Sequence, residues 1–543
     1  MHLFGKPIRT GRRAIRPGKG KLDATVERTS RGLLVRGTVS GRPGRVEVLR
    51  LPVPPVFLMN NWQSWGPTQK ATPADTFPEL GPIHATSPYG FSPLLGELLE
   101  RVWSDYFVAW NGAVLGFLAS RIAHPFFLVE GAELVGYLEY FDASFDDPVP
   151  LEPLAILGGG PVEDLLDAYG SLVKKENRVR INPWNPVGWC SWYHYFGNLT
   201  WDDVVGNVET ARKLRRSLPF EVFQVDDGYE TDIGDWLRAK PGYPALDGLA
   251  GAITRHGFRA GIWTAPFSAA ETSEVFAAHP DWMVAEGGRP KFAHRSWNRA
   301  IHALDLTRPE VQAHIFDLFT ALKRAGFEYF KIDFLFGSAM PGARRKNVTP
   351  IQAYREGLRV IRRAVGKGFV LGCGAPLLPS AGLVDGMRIG EDTAPFWKTL
   401  PSAFQGPNAY FALKNALLRQ FMHRKLWLND PDCVLLRDRE IELTRNEREL
   451  YALACGSLDN MVIDSDNLAM VGDEGKRLFR RALGLRGGRS RVLGLLGDDA
   501  YVVRSKGGPD GDFSLGVNLS DNPGQAGGRE LPPRSGALFR TRE

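Results

Sequence analysis

The hydrophobic pattern changes character twice along the chain. From about Lys21 to Phe145 the apolar residues come in short runs, LLVRGTVSG, GRVEVLRLPV, FVAWNGAVLGFLAS and PFFLVEGAELVGYLEYFDA, cut by Gly, Pro and Asp. Such runs predict an antiparallel β domain. A glycine-rich joint, LGGGPVEDLLDAYG, leads into a helix starting near Pro161; its glycines lack phosphate-loop spacing and read as a linker. From about Pro186 the rhythm becomes strand, polar loop, helix. Strands are predicted at PVGWCSWYHY, FEVFQVDDG, RAGIWTAPF, YFKIDFLF, GFVLGCGAP, GMRIGEDTA, KLWLND and LDNMVIDSD. One helix begins at Thr200 with a Ser/Thr-x-x-acid cap, T-W-D-D, a second has Pro309 near its start and Gly326 just past its end, and a third is TPIQAYREGLRVIRRAVGKG. After about Gly472 follow a basic helix, GKRLFRRALGLRGG, and short strands at SRVLGLL, DAYVVRSKG and FSLGVNL.

This order predicts an α/β protein built on a central (β/α)8 TIM barrel over residues 166–472, flanked by an N-terminal antiparallel β-sandwich domain (1–165) and a small C-terminal β domain (473–543). A doubly wound sheet would carry its glycine fingerprint at the first turn, and none is present. The length of 543 residues agrees, being too great for one core.

Composition narrows the partners. A net charge of +6 is modest at this length, and the only dense basic stretch, Arg9 to Lys21, reads as an exposed segment rather than a nucleic-acid site. That stretch lacks the apolar core of a secretory signal, and no apolar run is long enough to span a bilayer. Cys190, Cys373, Cys433 and Cys455 lie far apart without C-x-x-C spacing, which argues against a zinc site or disulfide framework and for a reduced, cytoplasmic protein needing no metal or cofactor. The 14 Trp matter because sugar sites use flat apolar rings, although most are expected to be packing. Self-association is expected of a large barrel with a flanking sandwich, through a surface that the sequence does not indicate.

In a barrel, chemistry sits where strands end. Those ends bring Cys190, Ser191, Trp192 and His194, then Asp226 and Asp227, Trp263, Lys331 and Asp333, Cys373, Arg388 and Asp392, and finally Asn429 and Asp430. Residues two apart share a strand face, so Lys331 and Asp333 converge, as do Arg388, Gly390 and Asp392, with Gly390 leaving space and Glu391 opposite. Two carboxylates facing each other over the mouth are what a glycosidase needs, one ionised and one protonated near neutral pH. Lys331 beside Asp333 favours the ionised nucleophile, whereas Asp392, raised by the nearby carboxylate, suits the acid/base. Arg388 would lower Asp392 on direct contact, so it is expected to aim at substrate oxygens. A metal hydrolase using His194, Asp226, Asp227 and Asp333 is the chemical competitor, but the sequence has no H-x-H or H-E-x-x-H pattern, and Lys331 opposes a cation.

GWCSWY, FQVDDGYETDIGDW, GIWTAPF, YFKIDFLF, LGCGAPLLP and GMRIGEDTAPFW, in this order over the central 300 or so residues, resemble the bacterial α-galactosidases of glycoside hydrolase family 36, clan D. The resemblance implies a retaining mechanism in which Asp333 attacks the anomeric carbon and Asp392 protonates the leaving oxygen. It implies that Asp226 and Asp227 bind sugar hydroxyls, including the axial 4-OH of galactose, and that Trp263, Lys331, Cys373, Arg388 and Trp192 line the same pocket. NNWQSWG, with Trp62 and Trp65, resembles a loop that reaches over the barrel mouth. Glu391 departs from close relatives, which commonly have an uncharged residue there. The substrate so implied is a small oligosaccharide of the melibiose or raffinose type. An α-galactosyl transferase, an α-N-acetylgalactosaminidase or a non-catalytic sugar-binding protein stays open.

Overall fold

Residues 1–7, 9–15, 19–77, 92–94, 98, 101–398 and 406–540 are described by a computed structural model, with backbone alone for 13–15. The N-terminal part forms two antiparallel sheets. The first runs 6–7, 2–3, 45–52, 133–139, 124–130, 103–105. The second runs 11–15, 19–29, 32–42, 154–158, 113–117, 107–110, 57–60, 68–71, with 145–150 against 32–42. Along Lys19–Thr29 buried and exposed positions alternate up to Val26, the period of a half-buried strand. Part of the basic Arg9–Lys21 stretch enters this sheet through Gly11–Ile15, while residues 16–18 lie outside the described residues.

The centre is a parallel sheet whose strands are β1 (Val187–Cys190), β2 (Val222–Val225), β3 (Arg259–Thr264), β4 (Phe327–Ile332), β5 (Phe369–Gly372), β6 (Gly386–Arg388), β7 (Leu428–Asp430), β8 (Cys433–Val434) and β9 (Val462–Asp464). β1 to β7 pair in chain order, β8 pairs with β9, and β9 pairs with β1. Every predicted strand has a counterpart here, but the strand begun by KLWLND is interrupted. Pro431 has no N–H for a ladder and Asp432 adopts φ 77°, so pairing resumes only at Cys433. β1 is also shorter than its apolar run: after Cys190 the chain turns into a short helix, Trp192–Tyr195.

The helices between these strands follow their sequence signals. Thr200 and Asp203 make both bonds of a capping box ahead of Trp201–Lys213, and Thr349 and Gln352 do the same for Pro350–Val365. Pro309–Ala325 ends at Gly326, left-handed at φ 111°. Four antiparallel strands, Arg489–Leu493, Ala500–Lys506, Phe513–Asn518 and Ser535–Arg540, follow the basic helix Asp473–Gly484. Among the described residues no helix is long and apolar enough to cross a membrane.

One N-terminal loop leaves its own sheet and docks on the parallel one. Ser64 N donates to Ala375 O at 2.9 Å, and Leu377 N donates to Trp62 O at 2.8 Å, just beyond β5. The loop that carries Trp62 and Trp65 therefore reaches the parallel sheet of its own chain.

Candidate active site

Of the polar residues predicted at strand ends, Asp226, Lys331, Asp333, Cys373, Arg388, Asp392 and Asp430 converge at the C-terminal ends of the strands. Asp333 is the first residue after β4 and is 5% exposed. Trp263 Nε1, from β3, donates to Asp333 Oδ2 at 3.0 Å, and the backbone N–H of Phe334 donates to Oδ1 at 2.8 Å. The Cys373 thiol, just past β5, also bonds this carboxylate. Burial nevertheless raises Asp333 above the ordinary carboxylate range, against the lowering by Lys331, Trp263 and Cys373, with Asp392 adding to the rise. That reverses the expected balance, because desolvation of the buried carboxyl outweighs the charge of Lys331.

Lys331 does not pair directly with Asp333. Its Nζ sits 2.9 Å from Asp226 Oδ2, at the end of β2. Burial works against the Lys331 charge, but Asp226, with lesser help from Asp333, raises its pKa well above the usual value. Asp226 also accepts from Gln224 Nε2 and from the Cys190 thiol, and its Oδ1 accepts the Asp227 N–H at 3.0 Å. Adjacent Asp227 accepts from Trp297 Nε1 at 2.6 Å. Glu230 is hydrogen-bonded to Asp227, and its own burial together with that neighbouring carboxyl pushes it well above the ordinary range.

Asp392 lies four residues past the last residue of β6, with its side chain 32% exposed. Arg388 Nη2 touches Asp392 Oδ1 at 2.7 Å and Asp432 Oδ2 at 2.7 Å, and donates to the Tyr193 hydroxyl at 3.3 Å. The expectation that Arg388 stands off Asp392 is therefore wrong. A guanidinium with 0% exposure needs acceptors for its N–H groups, and here the Asp432 and Asp392 carboxylates supply them. Asp432 in turn accepts from the Tyr193 hydroxyl and, at 2.7 Å, from Thr393 N; burial raises its pKa to about 6 despite Arg388. Gly390 also has another role than the one expected. A Cβ there would sit 3.2 Å from Asn415 Cβ and 3.3 Å from Ala412, so the glycine makes room for the helix Ala409–Leu418 rather than for substrate. Glu391 faces inward, buried at 6% exposure, and burial with Asp392 beside it pushes its pKa well up.

Phe334, two residues past β4, is left-handed at φ 50°, and swings to the mouth instead of continuing the strand's outer face. There Trp65 packs edge-on against it at 4.9 Å, His294 stacks at 4.9 Å and Trp297 leans at 4.9 Å. Gly374, at φ 49°, lets the Trp65 ring approach, since a Cβ would meet it at 3.0 Å. Trp192 packs edge-on with Phe196 at 5.5 Å. His194 packs against Tyr195, and Asn429 bonds Trp427 and the Arg419 carbonyl. Asp430 is buried with its pKa raised, Arg388 and Lys331 opposing.

Sequence reading missed Asp432, Tyr193, Glu230 and Trp297. Tyr193 stood inside GWCSWY, and Asp432 follows the proline that breaks the seventh predicted strand. Trp297 comes from the antiparallel excursion Phe292–Ala303 after β3, and nothing local in the sequence marks it.

A parallel sheet with clustered carboxylates at one end, walled by aromatics and joined to an antiparallel N-terminal domain, defines a glycosidase-type α/β protein. Family models agree: "Alpha-galactosidase, N-terminal" matches residues 25–158 and "Melibiase" matches residues 154–355. The chain belongs to the α-galactosidases of glycoside hydrolase family 36. Among relatives, α-galactosidase AgaA of Geobacillus stearothermophilus is 29% identical over 194 residues, 33% of this chain and 24% of that protein. α-Galactosidase 1 of Pediococcus pentosaceus is 26% identical over 300 residues, 50% of this chain and 39% of that protein. These alignments thus span less than two thirds of either relative. Of solved structures, the α-galactosidase TtGalA from Thermus thermophilus, in complex with p-nitrophenyl α-D-galactopyranoside, superposes with TM-score 0.73 at 28% identity, covering 91% of this chain and 98% of that one. The AgaA crystal structure gives TM-score 0.60 at 14% identity over 95% and 80% of the two chains, a likeness of fold.

Proposed function

We propose that this chain is a retaining α-galactosidase that removes terminal α-D-galactosyl residues from small oligosaccharides of the melibiose or raffinose type. The observation that carries the reading is the environment of Asp333: a buried carboxyl at the mouth, oriented by the Trp263 and Phe334 N–H groups and within the field of Asp392. In this reading Asp333 attacks the anomeric carbon as the leaving oxygen takes a proton from Asp392. Asp392 then removes a proton from the water that hydrolyses the galactosyl–enzyme ester. A bound sugar that excludes water and builds positive charge at its anomeric carbon favours ionised Asp333 more than the open mouth does. Lys331, Trp263, Cys373, Trp65 and Trp192 serve as pocket wall. Arg388, shared between Asp392 and Asp432, steers the acid/base.

Asp226 and Asp227 are the specificity pair. Both are buried and already oriented, Asp226 by Lys331 and Asp227 by Trp297 and Glu230, so a sugar lacking a matching hydroxyl leaves a carboxylate lone pair unsatisfied. Support from relatives comes from TtGalA, whose structures hold p-nitrophenyl α-D-galactopyranoside and stachyose.

The same reading takes β1 to β9 as a closed (β/α)8 barrel, with β7 and β8 as one strand interrupted at Pro431 and Asp432, and supported by the β9 to β1 pairing. It divides the chain at about 165 and 472 into an N-terminal sandwich, the barrel and a C-terminal β domain. The four cysteines, free and buried, fit a cytoplasmic protein.

The decisive experiment compares aryl α-galactoside, α-glucoside and α-N-acetylgalactosaminide hydrolysis by the wild type and by Asp333→Gly with and without azide. Only the galactoside is expected to be cleaved, with the variant inactive until azide restores turnover and yields the β-galactosyl azide. Near wild-type activity in Asp333→Gly would remove Asp333 from the mechanism.

A further inference from the structure

We propose that Arg419 is a positioning residue for the sugar pocket: its guanidinium clasps the N-terminal loop that carries Trp65 to the strand end that presents Arg388 and Asp392. The role rests on the glycosidase reading above. Arg419 caps the helix Ala409–Leu418 and has 0% exposure. Nε donates to Thr68 Oγ1 at 2.8 Å. Nη1 donates to the carbonyls of Ser64 at 2.7 Å and Ile389 at 2.8 Å. Nη2 donates to the Gly66 carbonyl at 2.7 Å and to Asn60 Oδ1 at 3.3 Å. All five N–H donors of the fork are therefore used, two on the loop, two on the strand residues Asn60 and Thr68 that bound it, and one on the segment between β6 and Asp392.

None of these acceptors is a carboxylate, which is an expensive way to bury a cation. Burial lowers the Arg419 pKa to about 9, and the carboxyl in its field is that of Glu391, whose Oε2 is itself buried and without a hydrogen-bond partner among the described residues. A methionine of similar length would fill the space without that desolvation. What only a planar guanidinium supplies is five donors in fixed directions, which a lysine cannot reproduce.

The geometry points to what those directions fix. Ser64 and Gly66 flank Trp65, so holding both carbonyls sets the height of its ring over Phe334, the neighbour of Asp333. Ile389 follows Arg388; its carbonyl is held by Arg419 and its N–H by the Asp430 carbonyl at 3.0 Å. One side chain thus links the aromatic wall on the nucleophile side to the acid/base side, across more than 350 residues of sequence.

The test uses the full chain as Arg419→Ala and Arg419→Lys, with Arg504→Ala on the C-terminal sheet as a control. kcat/KM for an aryl α-galactoside is expected to fall about 10²-fold in Arg419→Ala, the usual scale for a 1 Å misplacement, and only part of it to return in Arg419→Lys. Millimolar guanidinium should restore the alanine variant saturably, and methylammonium should not. Backbone amide exchange should quicken over residues 60–68 and leave 500–506 unchanged. Unchanged kinetics and exchange in a folded Arg419→Ala, or faster exchange throughout with no guanidinium rescue, would overturn the clasp. If Arg419→Ala does not fold, Arg419→Lys with the same kinetics and exchange decides. If the wild type cleaves no α-galactoside, the functional reading fails by itself, and the exchange and its response to guanidinium still decide whether Arg419 holds the loop.

Discussion

Removing the Trp263 N–H should change the pH at which the enzyme works before it changes anything else. Trp263→Phe keeps an aromatic wall and deletes the donor that lies 3.0 Å from Asp333 Oδ2. A hydrogen bond to a charged, buried acceptor contributes about 1.5–3 kcal/mol to the ionised form. At about 1.4 kcal/mol per pH unit that raises the Asp333 pKa by about one to two units, on top of the rise that burial already causes. The nucleophile must be ionised, so the acid limb of kcat/KM, which reports the free enzyme, is expected to move up by the same one to two units. Below the wild-type limb both proteins hold Asp333 protonated, and their ratio of rates levels off at about tenfold to a hundredfold in favour of the wild type. Stability must follow with the same sign. The folded pKa of Asp333 lies above its unfolded value, so the native state holds the proton longer, and its contribution to stability falls as pH rises through that window. In the variant the fall continues over a further one to two units, so the stability gap between the two proteins widens from acid toward neutral pH. The assay is kcat/KM for an aryl α-galactoside from pH 3 to 9, with thermal unfolding at the same pH values. An acid limb that stays in place, with activity scaled down equally at all pH, would refute the claim that this N–H tunes Asp333.

The remaining predictions concern the two buried cations. Lys331→Met strands the Asp226 charge, a loss on the scale of about 3–5 kcal/mol for a buried pair broken on one side, and adding Asp226→Asn should return much of it in a double-mutant thermal-unfolding cycle. If the two effects simply add, Lys331 and Asp226 are not a pair in solution. Asp432→Asn removes one of the two carboxylates that share Arg388, so kcat/KM for an aryl α-galactoside should fall while the acid limb set by Asp333 stays, and a shift of the acid limb instead would place Asp432 on the nucleophile side.

The sequence by itself determined the order of elements and the chemistry at their ends. Apolar runs of strand length, capping boxes at Thr200 and Thr349, and the Gly326 stop are local signals, and each corresponds to an element at that place. The candidate carboxylates were legible for the same reason, since a charge ending a buried strand stands out against its neighbours. What the tertiary structure alone decided is which charge meets which. Strand parity put Lys331 beside Asp333, but the end of β2, on the far side of β3, offers Asp226 at hydrogen-bonding distance, and Arg388 found Asp392 together with an Asp432 that no spacing rule connects to it. Whether a buried carboxyl stays ionised depends on how much water the fold excludes, which is why Asp333 lies high despite a lysine two residues away. The Trp65 loop and Arg419, some 350 residues apart in the chain, become one wall only because two separately coded sheets pack together, and long-range packing leaves no periodic trace in the sequence that encodes it.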